Sequence, residues 1–111
     1  MEKYNTEYKD YKNHIAIMIS TDRGIFNERS AVRARMSEHA KSYKELHIIV
    51  FATRGYESQV ITDNCYVYST NSIFKLLYVF DAYILGKRII KLINKEIYNT
   101  QIHIYIYYLK L

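Results

Sequence analysis

HIAIMIS at residues 14–20, TDRGIFNER at 21–29 and SAVRAR at 30–35 together decide the fold. In the first block Ile15, Ile17 and Ile19 alternate with Ala16 and Met18, so both faces are apolar. That is the pattern of a parallel strand covered by helices on each side, and it predicts a place near the middle of a sheet. The last block opens an amphipathic helix expected over Ser30 to Tyr43. Val32, Met36, His39, Ala40 and Tyr43 share one stripe, and Ala34, Arg35, Ser37, Glu38 and Lys41 point away from it. The loop between them, Thr21 to Arg29, is longer than the roughly two to six residues that such a connection needs. Ligands of open parallel sheets sit in the crevice at the carboxyl ends of the strands, so this loop is the expected working surface. Gly24 permits close approach of a ligand to the chain, and Asn27 or Ser30 can cap the helix. Arg33 gains nothing from the positive end of the helix dipole, so its guanidinium reads as one kept for a diphosphate or carboxylate. The plainer alternative is that Asp22 and Arg23 simply pair and fix the loop.

Further along, Leu46 to Ala52 is a second, continuously apolar strand, and Thr53-Arg54-Gly55-Tyr56 turns the chain at the same edge. Glu57 to Thr62 and Cys65 to Ser69 form a hairpin about the turn pair Asp63-Asn64, its second arm returning parallel to the first strand. Thr70 and Asn71 then supply small polar groups at the carboxyl edge, or cap the helix that follows. That helix, Ile73 to Ile93, has two characters. Its first half is apolar almost all round, and Lys87, Arg88, Lys91 and Lys95 continue the face begun by Leu77, Phe80 and Ile84. Such a face suits an anionic membrane surface or a protein partner, or is a solvated basic helix end.

The string STDRGIF from Ser20 to Phe26, followed by Ser30-Ala31-Val32-Arg33-x-Arg35-Met36, resembles the opening strand, loop and helix of bacterial family-four glycosyltransferases. The likeness continues through Glu45 to Phe51, Ser69 to Ser72, Phe80-Asp81-Ala82 and Gly86-Lys87, and spans residues 14–93. It implies an α/β fold: a single three-layer Rossmann-like domain with a mostly parallel sheet, one half of the GT-B architecture. It also implies that Thr21, Asp22, Arg23, Gly24, Arg33, Thr70 and Asn71 line an acceptor-side cleft, with no residue assigned as catalytic. The partner missing from the chain would be the C-terminal domain that holds the nucleotide sugar. The expected product is then an incomplete, inactive piece of an enzyme of glycan or glycolipid biosynthesis, cytoplasmic and peripheral on the inner face of the cell membrane.

Residues 1–13 read as a polar extension, with Tyr4, Tyr8 and Tyr11 on one helical face. Residues 94–111 match no continuation of the family. Their mix of Ile, Tyr, Asn and Lys is what A/T-rich DNA yields out of frame, and Ile102, Ile104 and Ile106 alternate as in an edge strand.

The 111 residues bound the chain to one domain, and the N-terminus has no apolar core of the signal-peptide kind. A single cysteine, Cys65, fits a reducing compartment and reads as a small core residue. The net charge of +5 invites a polyanion, but the sixteen basic residues form no block, so nucleic acid is not expected. No phosphate-loop, zinc or nucleophile-elbow motif is present, and no metal or cofactor is implied. The alternative to the enzyme fragment is a non-enzymatic basic α/β module that binds an anionic membrane surface or a partner protein. A flavodoxin-like regulator ranks last, for want of an acidic cluster. An apolar half-helix without its usual cover also predicts self-association.

Overall fold

The computed structural model describes residues 13–96 and 101–106, with side chains over 13–93. The expected N-terminal extension, and the rest of the tail, lie outside the described residues. Five strands form one sheet: β1 (His14–Ser20), β2 (Glu45–Val50), β3 (Gln59–Thr62), β4 (Cys65–Ser69) and β5 (Gln101–Ile106). Their order is β3-β4-β2-β1-β5. All neighbours are parallel except the β3–β4 hairpin. The protein is thus an α/β domain with a mostly parallel open sheet, and β1 is an interior strand beside the central β2. Gln101–Ile106 occupies the edge beyond β1, each residue from His14 to Ile19 facing one from Gln101 to Ile106.

Alternation along the strands divides the core in two. Ala16, Met18, Leu46, Ile48, Val50, Cys65 and Val67 face α1 (Ala31–Ala40) and its buried Val32, Met36 and Ala40. Ile15, Ile17 and Ile49 face α2 (Tyr78–Glu96) and its buried Ala82, Ile89 and Ile93. One helix therefore covers each face, as the doubly apolar first strand requires. Cys65 is wholly buried at the start of β4, and burial pushes its thiol up to about 11, so it serves as a core residue.

Helix boundaries differ from the sequence reading, α2 also running on to Glu96 rather than ending at Ile93. Ser30 is the cap of α1, its hydroxyl accepting from the Arg33 N–H at 3.2 Å, and the helix stops at Ala40 rather than Tyr43. Asn64 explains the early stop: its side-chain amide donates to the carbonyls of Ala40 at 2.8 Å and Tyr43 at 3.1 Å. The second helix begins at Tyr78, after a short 3-10 turn over Lys75–Leu77. Ahead of it the chain still belongs to the sheet edge, where the Ser72 N–H donates to the Ala52 carbonyl at 2.9 Å. A segment tied into a ladder cannot also turn helical, whatever its apolar spacing.

Candidate functional site

The carboxyl ends of β1, β2 and β4 lie along one edge, and short hydrogen bonds extend the ladder beyond them. The Phe51 N–H donates to Ser20 at 3.0 Å and the Thr70 N–H donates to Val50 at 3.1 Å. All seven residues expected to line a cleft stand on this edge or on the first turn of α1 beside it.

Within the first loop, Asp22 is buried, 3% exposed, and does not pair with Arg23. One carboxylate oxygen accepts the Gly24 N–H at 2.9 Å and so caps a 3-10 turn over Arg23–Phe26. The other oxygen is buried without a hydrogen-bond partner among the described residues. The Asp22 N–H in turn donates to the Ser20 hydroxyl at 3.0 Å. Gly24 stands in a tight place: a Cβ there would lie 3.0 Å from the Asp22 carboxylate and 3.4 Å from Val32, so the capping side chain would have to give way by a few tenths of an ångström. Arg23 is exposed and reaches the Phe51 carbonyl at 3.4 Å. Thr21 is exposed at the head of the loop.

Arg33 has partners of its own within the fold. Its guanidinium donates to the Ile25 carbonyl at 3.2 Å and to the Gln59 side-chain oxygen at 2.7 Å, tying the loop and α1 to β3. Thr70 is likewise engaged: its hydroxyl accepts from the Ala52 N–H at 3.0 Å and donates to the Ala52 carbonyl at 2.9 Å. Asn71 is exposed with a left-handed backbone, φ 46°, and its side-chain oxygen accepts from the Ser69 hydroxyl at 3.2 Å.

Two concavities lie along this edge among the described residues. An open cleft of about 650 Å³ lies between Arg23, Gly24 and Phe26 on one side and Tyr56, Glu57 and Gln59 on the other. Phe26 and Tyr56 form its aromatic wall, their rings 5.0 Å apart. A second hollow of about 360 Å³ has Ser58, Thr70 and Asn71 facing Asp81 and Arg88 of α2. The sequence-expected residues divide between them: Arg23 and Gly24 with the first, Thr70 and Asn71 with the second. Lys87, Arg88 and Lys91 are exposed on α2. Lys95 belongs to the same helix, with its side chain outside the described residues.

A second constellation, at the amino ends of the strands, escaped the sequence reading. His47 is 6% exposed and lies between Tyr68, 2.7 Å from Nδ1, and Glu45, 2.9 Å from Nε2. A carboxylate can only accept, so Nε2 carries the proton and Nδ1 accepts from the Tyr68 hydroxyl. Tyr66 stacks on the imidazole with centroids 4.8 Å apart. Burial lowers the His47 pKa, opposed by the hydrogen bond and charge of Glu45. Burial, with Tyr66 and Glu45 adding to it, pushes the Tyr68 phenol up to about 12. The signal lay in the period of two: Glu45 and His47, like Tyr66 and Tyr68, share a strand face, and β2 and β4 are adjacent.

His47 sets a pH dependence. Its folded pKa lies below its ordinary 6.5, so the neutral ring's contribution is complete above that value and is lost as pH falls toward the folded pKa. Urea midpoints are expected to be level at neutral pH and to fall on acidification. Each such histidine contributes at most about 1.4 kcal/mol per pH unit inside that window. His47→Gln is expected to reduce the slope, leaving the part due to the half-buried His39, whose pKa burial also lowers.

Comparison with family models, with curated proteins and with solved structures finds no match to this chain.

Proposed function

We propose that this chain is the acceptor-side half of a sugar-nucleotide-dependent glycosyltransferase, a Rossmann-like domain of the GT-B kind. The observation that carries the reading is the carboxyl edge itself. There an open cleft lies between the loop after β1, with Arg23, Gly24 and Phe26, and the segment leading into β3, with Tyr56, Glu57 and Gln59. An aromatic wall with polar groups around it suits a sugar, whose faces are apolar and whose hydroxyls need partners. The departing nucleotide needs charge stabilisation from the opposite side of such a cleft, so this half alone binds weakly and does not turn over.

The test is a titration of the isotopically labelled chain with UDP-glucose, GDP-mannose and maltose, followed by amide NMR shifts. Shifts are expected at Arg23, Gly24, Thr70 and Asn71, weakened in Arg23→Ala, with no sugar transferred or released. Absence of shifts at this edge with every probe would remove the reading, and glycosyl transfer by the chain alone would overturn its inactivity.

A second reading, a basic α/β module peripheral to an anionic membrane or bound to a partner protein, is favoured by a separate observation. The outward face of α2 exposes Val79, Phe80, Tyr83 and Ile84 together with Lys87, Arg88 and Lys91. No described helix is long and apolar enough to cross a membrane, so this contact would be with a surface.

A further inference from the structure

The outward side of the 3-10 turn and α2 is the largest run of exposed apolar side chains among the described residues. Phe74 is 65% exposed, Leu76 94%, Val79 72%, Phe80 61% and Tyr83 62%. Single exposed apolar residues need no explanation, but a contiguous patch marks something that covers it. The covering body must also meet charge. Phe80, Ile84, Lys87 and Lys91 recur at three- and four-residue spacing and so lie along one line of the helix. Apolar side chains occupy its first turns and ammonium groups its later ones, the two halves about 10 to 15 Å apart along the axis. Tyr83 stands at the junction, with the Lys87 ammonium 5.4 Å from its ring centre.

From this arrangement we infer that the α2 face docks on a bilayer rich in anionic lipid, with the amino end of the helix entering deeper than its basic half. The inference rests on the surface reading above and is independent of the sugar reading. A bilayer has the two matching layers in the right order, acyl chains within and anionic headgroups above them. A second copy of the chain has not. Parallel pairing of two such faces sets ammonium against ammonium, and antiparallel pairing offers the lysines no anion beyond the half-buried Asp81. Tyrosine at the junction fits the interfacial level, where the ring is buried and the hydroxyl stays wet. The orientation follows from topology: α2 begins beside the carboxyl edge of the sheet, so docking would bring that edge, and the hollow bearing Asn71 and Arg88, down toward the headgroups.

Co-sedimentation of the full chain with phosphatidylcholine vesicles, with and without phosphatidylglycerol, tests this. Binding is expected only with phosphatidylglycerol and should weaken with salt. The combined Lys87→Gln, Arg88→Gln and Lys91→Gln variant is expected to bind about 100-fold more weakly, each cation contributing roughly a factor of five. Leu76→Ser with Phe80→Ser removes exposed groups, leaves the core intact and is expected to abolish the salt-resistant part of the binding. No binding to anionic vesicles at low salt, or unchanged binding by both variants, would overturn the inference. If the chain instead sediments as a dimer that Leu76→Ser with Phe80→Ser makes monomeric, a second copy covers the face: the lipid inference fails and the surface reading survives. A monomer that ignores vesicles removes the lipid inference and leaves the surface reading only its protein partner.

Discussion

Ile49→Ala is expected to lower the unfolding free energy by about 3 to 4 kcal/mol, a large part of what a domain of this size possesses. Ile49 is 1% exposed on the central strand, where its side chain joins Ile15 and Ile17 beneath α2. An apolar hollow of about 190 Å³ already adjoins it, bounded by Ile17, Ile19, Ala82 and Gly86. Truncation enlarges that space, and a strand hydrogen-bonded on both sides cannot sink to refill it. Filling from the helix side should act in the opposite sense. A Cβ at Gly86 would lie 3.8 Å from the Ile49 terminal methyl, an ordinary contact, so Gly86→Ala should add about 1 kcal/mol through helix propensity. Urea midpoints at unchanged slope would report both. A loss below about 1 kcal/mol for Ile49→Ala would mean that α2 does not seat on this residue.

Asn64→Asp should cost about 2 to 4 kcal/mol although it changes no atom's position. The amide donates to the last carbonyls of α1 at Ala40 and to Tyr43, while its oxygen accepts from Thr62 at 3.0 Å. A carboxylate keeps the Thr62 bond but turns both donors into an acceptor facing carbonyl oxygens. It also brings negative charge to the negative end of the helix dipole. Asn64→Ala, which only deletes the bonds, should cost less than the isosteric change. Equal losses for the two would show that repulsion contributes nothing.

The strands were legible because their apolar patterns needed only neighbours. His14–Ser20 and Cys65–Ser69 stand where the sequence puts them, and the hairpin, the parallel return of β4 and the helix on each face follow from the same periodicity. Helix ends were less legible, since they depend on groups distant in sequence: Asn64 ends α1, and the Ala52 carbonyl holds Ser72 out of α2. The location of the candidate edge could be read from the long loop and Gly24. Its division into two hollows could not, because that follows from where β3 brings Gln59 and where α2 carries Asp81 and Arg88. Nor could the engagement of Arg33, whose partner Gln59 lies two strands away in the chain. The buried Tyr68–His47–Glu45 chain was missed because a histidine inside an apolar run looks like a packing residue until the facing strand is known.

The pairing of β5 with β1 joins the two ends of the described chain in parallel register. Parallel ladders of such long sequence separation give a high contact order, and loop-closure entropy is spent before any bond is returned. The β3–β4 hairpin can form early from local contacts, but the far side of β1 stays bare until the last strand arrives. Folding should therefore be slow at this one step, with an isoleucine-rich edge open meanwhile to the same edge of another molecule.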